Sequence, residues 1–395
     1  MIGGAVLWRN HRQPAPPLRR SRVVVGAQGD MPLLLAVSAL LALGLLMVGS
    51  ASISIADRQL GAPFHYLLRQ VAYVGTGVLL AFITVQIPLA AWQRLGPMLL
   101  LISLALLLLV LIPGVGRNVN GATRWLSLGV FNLQVSELAK AALIIYAAGY
   151  LVRRGDEVRT TVKGFLKPLG LLVVFALLLL AQPDFGALVV LGATLLGMLF
   201  LAGVRLWLFG LLVTVAAGAL ALLATTSSYR MERLTAFMNP WADPFNSGFQ
   251  LTQALIAFGR GDWFGVGLGG SVQKLFYLPE AHTDFLFAVL AEELGLFGAL
   301  GVILLFMFIV WRAFAIGRAA AQAGAHFGAY LAYGIALLIG LQVFINVGVN
   351  MGVLPTKGLT LPLMSYGGSS MLVTCVVIGL LLRVDRENRR WGQGT

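Results

Sequence analysis

Apolar runs of bilayer length recur along this chain, near 33 to 55, 70 to 87, 95 to 112, 137 to 152, 165 to 182, 186 to 203, 206 to 224, 285 to 311, 327 to 350 and 366 to 382. A run of about 20 apolar residues crosses hydrocarbon as a helix, because lipid offers the backbone no hydrogen-bond partners and a helix satisfies its own. The pattern predicts an all-α polytopic membrane protein of about ten helices. Only 11% of the residues are charged and 59% are hydrophobic, which excludes a soluble domain. The stretch from 165 to 203 is about twice a bilayer's thickness. Gln182-Pro183-Asp184-Phe185-Gly186 within it is a turn signal, so it divides into two helices joined by a tight hairpin.

A net charge of +13 would suggest nucleic acid for a soluble chain, but here the placement of charge reports topology. An even helix count puts both termini on one side, and the Lys/Arg bias puts that side in the cytoplasm. Arg153, Arg154, Arg159, Lys163 and Lys167, between the fourth and fifth helices, are its clearest marker. Asp57, Glu137, Asp184, Asp262, Glu280 and Asp284 fall on the outer side, which is therefore the expected working face. The chain divides into a basic tail over 1–30, expected to be disordered, a membrane domain over 31–383 and a cytoplasmic tail over 384–395. A long outer loop, 226–283, joins helices seven and eight. The first apolar run lacks a small-residue cleavage site and reads as an uncleaved span. The one cysteine, Cys375, lies in an apolar run and supports neither a disulfide nor a metal site.

Three outer loops carry the polar chemistry. The first, 113 to 135, combines glycine turns around Arg117 and Arg124 with the amphipathic tail of a short fourth helix. The second contains Leu251, Ala254, Leu255 and Phe258 at i, i+3, i+4, i+7 spacing, which predicts an interfacial helix. Its Gly265, Gly267 and Gly270 match G-x-G-x-x-G, but no βαβ unit surrounds them, so a flexible loop is expected rather than a nucleotide site. The third, 351 to 365, carries Lys357.

A polar turn with Glu280, His282 and Asp284 enters the eighth helix directly. An ionisable group at a membrane mouth is a functional candidate by default. The alternative is that Asp284 merely caps the helix. At 100° per residue Ala288, Ala291, Gly295, Gly298 and Ala299 lie within about 60° of it, a small-residue stripe suited to close helix packing. Glu292 falls about 80° away and two turns deeper, with Glu293 on the opposite side, so one of the two is expected to be structural. Glu137 and Lys140 are i, i+3 neighbours that can pair, either as a structural ion pair or as a substrate site. Gln342, Asn346 and Asn350 form an i, i+4, i+8 stripe that fits interhelical hydrogen bonding as well as a substrate path. The four histidines show no metal-ligand spacing; His282 is the one placed to position a substrate.

VNGATRWLSLG with VSELAK, then GDWFGVGLGGSVQKLFYLPEAHTDFLFAVLAEELG, then NVGVNMGVLPTKGLTLPLMSYGGSS closely resemble the SEDS proteins (shape, elongation, division and sporulation) over all ten spans. NMGVLPTKGLTLP and GDWFGVGLGGSVQKL are more similar to the division branch than to the elongation branch. The resemblance implies a peptidoglycan glycosyltransferase that polymerises lipid II into a growing glycan strand at the outer face of the cytoplasmic membrane, at the division septum. It implies that Asp284 is the essential aspartate, that Glu137 and Lys140 are the family's acid and lysine of the fourth helix, and that Arg124 is its loop arginine. It also implies a partner, a class B penicillin-binding protein of the FtsI-like division transpeptidase type, alongside other division proteins.

Such a transfer joins a sugar hydroxyl to an anomeric carbon and releases a polyprenyl diphosphate. It needs one base and positive charge around the leaving group. Asp284 is the expected base. Arg124, Lys274 and Lys357, from three outer loops, are the expected cations, with His282 as a positioning group. A divalent cation, Mg or Mn, could share the diphosphate, although no dedicated cage is visible. A lipid II flippase and a non-catalytic scaffold that recruits the transpeptidase are the competing classes.

Overall fold

The computed structural model describes residues 30–119, 122–127, 129, 132–225, 231, 235–356 and 358–393. Each of the ten apolar runs is helical. The first half of the chain forms α1 (Met31–Leu60), α2 (His65–Gln86), α3 (Leu89–Val110), α4 (Val135–Thr160), α5 (Val162–Ala181), α6 (Phe185–Leu201) and α7 (Leu206–Thr225). The second half forms α8 (Phe249–Gly261), α9 (Leu286–Gln322), α10 (His326–Asn350) and α11 (Gly368–Gln393). Among the described residues eight of these are long and apolar enough to cross a membrane; α6, of 17 residues, is a shorter apolar helix, α7 is an apolar helix of 20 residues, and α8 is the helix expected in the long loop. The boundaries follow local chemistry. Asp30 accepts the Leu33 amide and Pro32 opens α1, while Gly61, at φ 63°, closes it. Asp184 caps α6 through the Ala187 amide at 3.1 Å, as the turn signal there requires.

Burial sorts the helices. The most apolar stretches of α4, α10 and α11 are 72%, 61% and 78% buried, so these three form the centre. α2, α3 and α5, at 17%, 28% and 28%, turn large apolar side chains such as Phe82, Leu101 and Leu177 outward, as a lipid-facing helix must.

Two loop expectations are corrected. Residues 116–134 do not form glycine turns leading into a helix but a three-stranded antiparallel sheet, β1 (Gly116–Val119), β2 (Ala122–Ser127) and β3 (Asn132–Gln134). Arg117 pairs with Trp125, and Trp125 with Gln134. The signal lay in the sequence: Asn-Gly, here at 120–121 between β-branched and aromatic residues, is a dipeptide that favours hairpins. The glycine-rich segment is not a free loop either. Val266 and Gly267 donate to the Glu292 and Glu293 carbonyls at 3.0 and 3.1 Å, and the Leu296 and Phe297 amides donate to Asp262 and Trp263 at 2.8 and 3.2 Å.

That docking is possible because α9 is broken at Gly295, whose φ of 67° and ψ of −167° only glycine adopts readily. A Cβ on Gly265 would sit 2.2 Å from the Glu293 carbonyl oxygen, so the approach requires a bare backbone there. The small-residue stripe thus serves, in part, a loop rather than a neighbouring helix. The break also sets geometry. Leu296–Gln322 is about 40 Å long and α10 about 38 Å at 1.5 Å per residue. The two are joined by a short turn, yet Asp284 and Ala288 reach the far end of α10. Leu286–Leu294 therefore adds little height and runs across the end of the bundle. Glu292 is not two turns deeper than Asp284.

Candidate active site

Asp284 lies just before α9, whose cap position is taken by Phe285 with no side-chain cap bond, so the aspartate is not the helix cap. The α10 asparagines fix its backbone instead. Asn346 and Asn350 each donate to the Asp284 carbonyl at 3.0 Å. Asn350 also accepts the Ala288 amide at 3.1 Å, sharing that first-turn donor of α9 with the Phe285 carbonyl. Asn346 donates in addition to the Leu359 carbonyl at 2.5 Å. The polar stripe on α10 is thus a clamp between chain segments, and both asparagines are buried. The Asp284 carboxylate stands against Gly358, where an added Cβ would lie 3.0 Å from Oδ2. Lys357, the neighbour of Gly358, lies outside the described residues.

Both glutamates of α9 prove to be anchors for the long loop. Glu292 accepts from Arg260 at 3.0 Å, from the Ser271 hydroxyl, and from the Val272 and Gln273 amides at 3.0 and 3.3 Å. Glu293 lies 2.7 Å from the Lys274 ammonium and within hydrogen-bond distance of Ser50 on α1. All three charged groups other than Arg260 are buried, at 0%, 0% and 6% exposure. The structure therefore places Lys274 in a buried ion pair, where its charge is already matched.

A second cluster lies along the neighbouring elements. Leu359 packs on the bare face of Gly186, at the start of α6. Two residues earlier Asp184 accepts the Ser136 hydroxyl at 2.9 Å and has the Arg124 guanidinium 3.9 Å away. Arg124, on β2, also donates to the Pro183 carbonyl at 3.1 Å and keeps 29% of its side chain exposed. Next to Ser136, Glu137 and Lys140 form a 2.8 Å ion pair buried in α4. A contiguous path of contacts thus joins Asp284, Gly358–Leu359, Asp184 and Arg124. Asp184 was missed as a site residue because its role depends on three separate elements meeting.

His282 packs against Tyr66 and Tyr366, with ring centroids 4.8 and 5.5 Å away and the two tyrosines 5.2 Å from each other, and its carbonyl accepts the Tyr366 amide at 2.9 Å. Burial holds its imidazole below the ordinary histidine value, and Glu280 only partly opposes this. Its Nδ1 is buried without a protein partner. Burial likewise pushes the Tyr366 hydroxyl up to about 12, so it stays protonated. Among the described residues, no three or more His, Cys, Asp or Glu side chains gather as a metal would need.

The family model of the FtsW, RodA and SpoVE cell cycle proteins matches residues 31–390. The chain is 65% identical over 358 residues to the probable peptidoglycan glycosyltransferase FtsW of Thioalkalivibrio sulfidiphilus, covering 91% of this chain and 90% of that one. It is 63% identical to the corresponding protein of Nitrosococcus halophilus, covering 92% and 93%. A chain of a peptidoglycan synthase complex, solved for the structural coordination of polymerization and crosslinking, superposes with a TM-score of 0.75 at 32% identity, over 91% of this chain and 98% of that one. The rod shape determining protein RodA of Thermus thermophilus superposes with a TM-score of 0.68 at 31% identity, over 91% and 97%. On this extent of match in both sequence and fold, the chain belongs to the FtsW/RodA/SpoVE family of cell cycle proteins.

Proposed function

We infer that this chain is a peptidoglycan glycosyltransferase of cell division that polymerises lipid II at the outer face of the bacterial cytoplasmic membrane. The observation that carries the reading is the clamp on Asp284. Two buried asparagines fix its main chain while its carboxylate faces the Gly358 backbone at the mouth of the bundle. In the reaction Asp284 accepts the proton of the acceptor sugar hydroxyl. The oxygen forms its bond to the anomeric carbon of the donor as the bond to the polyprenyl diphosphate breaks. That leaving group departs as an anion, so it needs cations rather than an acid.

Arg124 keeps 29% of its side chain exposed, where it could meet a diphosphate, and Lys357 is the sequence neighbour of Gly358, which Asp284 touches. Glu137 and Lys140 would hold a donor or acceptor headgroup from α4, and His282 would shape the entrance. Lys274 enters this scheme only indirectly, by holding the long loop in place. In the topology proposed, α6 and α7 also cross, both termini are cytoplasmic, and the loop over 226–283 is outside. A class B penicillin-binding protein would supply the crosslinking step. The test is glycan chain growth from purified lipid II. Asp284→Asn is expected to lower the rate by about 10² to 10⁴-fold in a folded protein. An undiminished rate would remove Asp284 as the base. Headgroup-labelled lipid II that crosses sealed vesicles without polymerising would assign transport instead.

A further inference from the structure

The end of the bundle opposite Asp284 holds a cavity of about 300 Å³, at the lower end of the range for small-molecule sites. It forms where α4 is interrupted at Arg154, which has φ −130° and ψ 20°. Its walls are Leu151–Glu157 and Arg159 of α4, with His326 and Tyr330 at the start of α10. Tyr330 and the asparagines that hold Asp284 are about 24 to 30 Å apart along α10. No step of the transfer reaches that far.

Charge in this cavity is unbalanced. Arg153, Arg154 and Arg159 face Asp156 and Glu157. Glu157 is already matched by Lys167 at 2.5 Å and by Arg154 at 3.2 Å, and Asp156, 89% exposed, stands 3.9 Å from Arg159, so among the described residues Arg153 is left without a carboxylate counted against it. Arg159 is fixed as a wall, donating to the Ala202 carbonyl at 2.7 Å and to the Tyr330 hydroxyl at 3.1 Å. The positive end of the α10 dipole points the same way. Beside these groups lie buried Leu151 and outward-facing Val152. Arginines that only marked topology, or only offset the α4 dipole, would account for the charge but not for a cavity with a fixed guanidinium, a hydroxyl and an apolar lip.

We propose that this cavity binds the phosphate group of an anionic phospholipid, with Arg153 and Arg154 on the phosphate and the Arg159–Tyr330 pair as its back wall. Basic pockets between membrane helices suit such headgroups, and in a bilayer the phospholipid is the most concentrated phosphate at hand. This site is independent of the transferase reading, and its test does not use activity.

The full chain is reconstituted in phosphatidylcholine vesicles with and without phosphatidylglycerol, and retained lipid is measured by native mass spectrometry. Wild type should retain phosphatidylglycerol preferentially, and the double variant R153Q/R154Q should lose about tenfold of that preference while melting as wild type does in phosphatidylcholine. Should that variant not fold, R153K/R154K keeps the charge but loses the planar fork, and it should retain less phosphatidylglycerol than wild type. Equal preference in wild type and variants, or none in wild type, overturns the site. A third arm adds glycerol phosphate to protein in phosphatidylcholine. A rise in melting temperature of wild type alone would overturn the lipid as occupant and assign the site to a soluble phosphate; no rise supports the lipid.

Discussion

Asn350 grips Asp284 by its backbone, not by its carboxylate. Its amide donates to the Asp284 carbonyl at 3.0 Å while its oxygen accepts the Ala288 amide at 3.1 Å. The proposed base is thereby located through its main chain by a residue more than sixty positions away. Replacing Asn350 by Leu removes one of two hydrogen bonds from each group, leaving the Asp284 carbonyl to Asn346 and the Ala288 amide to the Phe285 carbonyl, at about 0.5–1.5 kcal/mol per lost bond. Thermal unfolding should show that loss. Polymerisation in the fraction that remains folded should fall through kcat, because the aspartate is no longer held.

The Lys274–Glu293 pair gives a sharper expectation. Removing one member of a buried pair costs about 3–5 kcal/mol, whereas replacing both with apolar groups is often nearly neutral. Lys274→Met and Glu293→Leu should each destabilise the protein by that order, and the double variant should recover most of it. If Lys274 instead bound the leaving diphosphate, Lys274→Met would change KM for lipid II with little effect on stability. Unfolding midpoints and KM together separate the two.

For Glu137 and Lys140, either single neutralisation strands a buried charge, again at about 3–5 kcal/mol. The swapped pair E137K/K140E should fold, since the charges still meet at i, i+3. It should nevertheless fail to polymerise lipid II if the pair holds substrate. A swapped protein with full activity would make it purely structural.

Acid should loosen the entrance through His282. Burial lowers its folded pKa below the unfolded value of 6.5, so the folded state binds fewer protons there. Its contribution is therefore fully present above about pH 6.5 and declines as pH falls from there toward the lowered folded value. The unfolding midpoint of wild type should drop between pH 7.5 and 5.5 by more than that of His282→Gln. Parallel curves would show that this imidazole does not carry the acid sensitivity.

The sequence by itself determined the solvent this fold lives in, the helices and the loop ends. Hydropathy runs placed every membrane helix, the turn at Gln182–Gly186 divided α5 from α6, and period-3.6 spacing located α8. These are local signals, set by what one segment does with its own backbone and surface. Asp284 stood out as a candidate for the same reason: an ionisable group entering an apolar helix at a membrane mouth is unusual in any context. What only the tertiary structure decided was partnership. Lys274 read as a free loop cation until Glu293 was found beside it, and the glycine motif read as slack until it was seen hydrogen-bonded into the break at Gly295. Asp184 gained a role only where β2, α4 and α6 converge. Ion pairs and clamps of this kind join residues far apart in the chain. Periodicity shows which face a residue occupies, but not which distant group will meet it there.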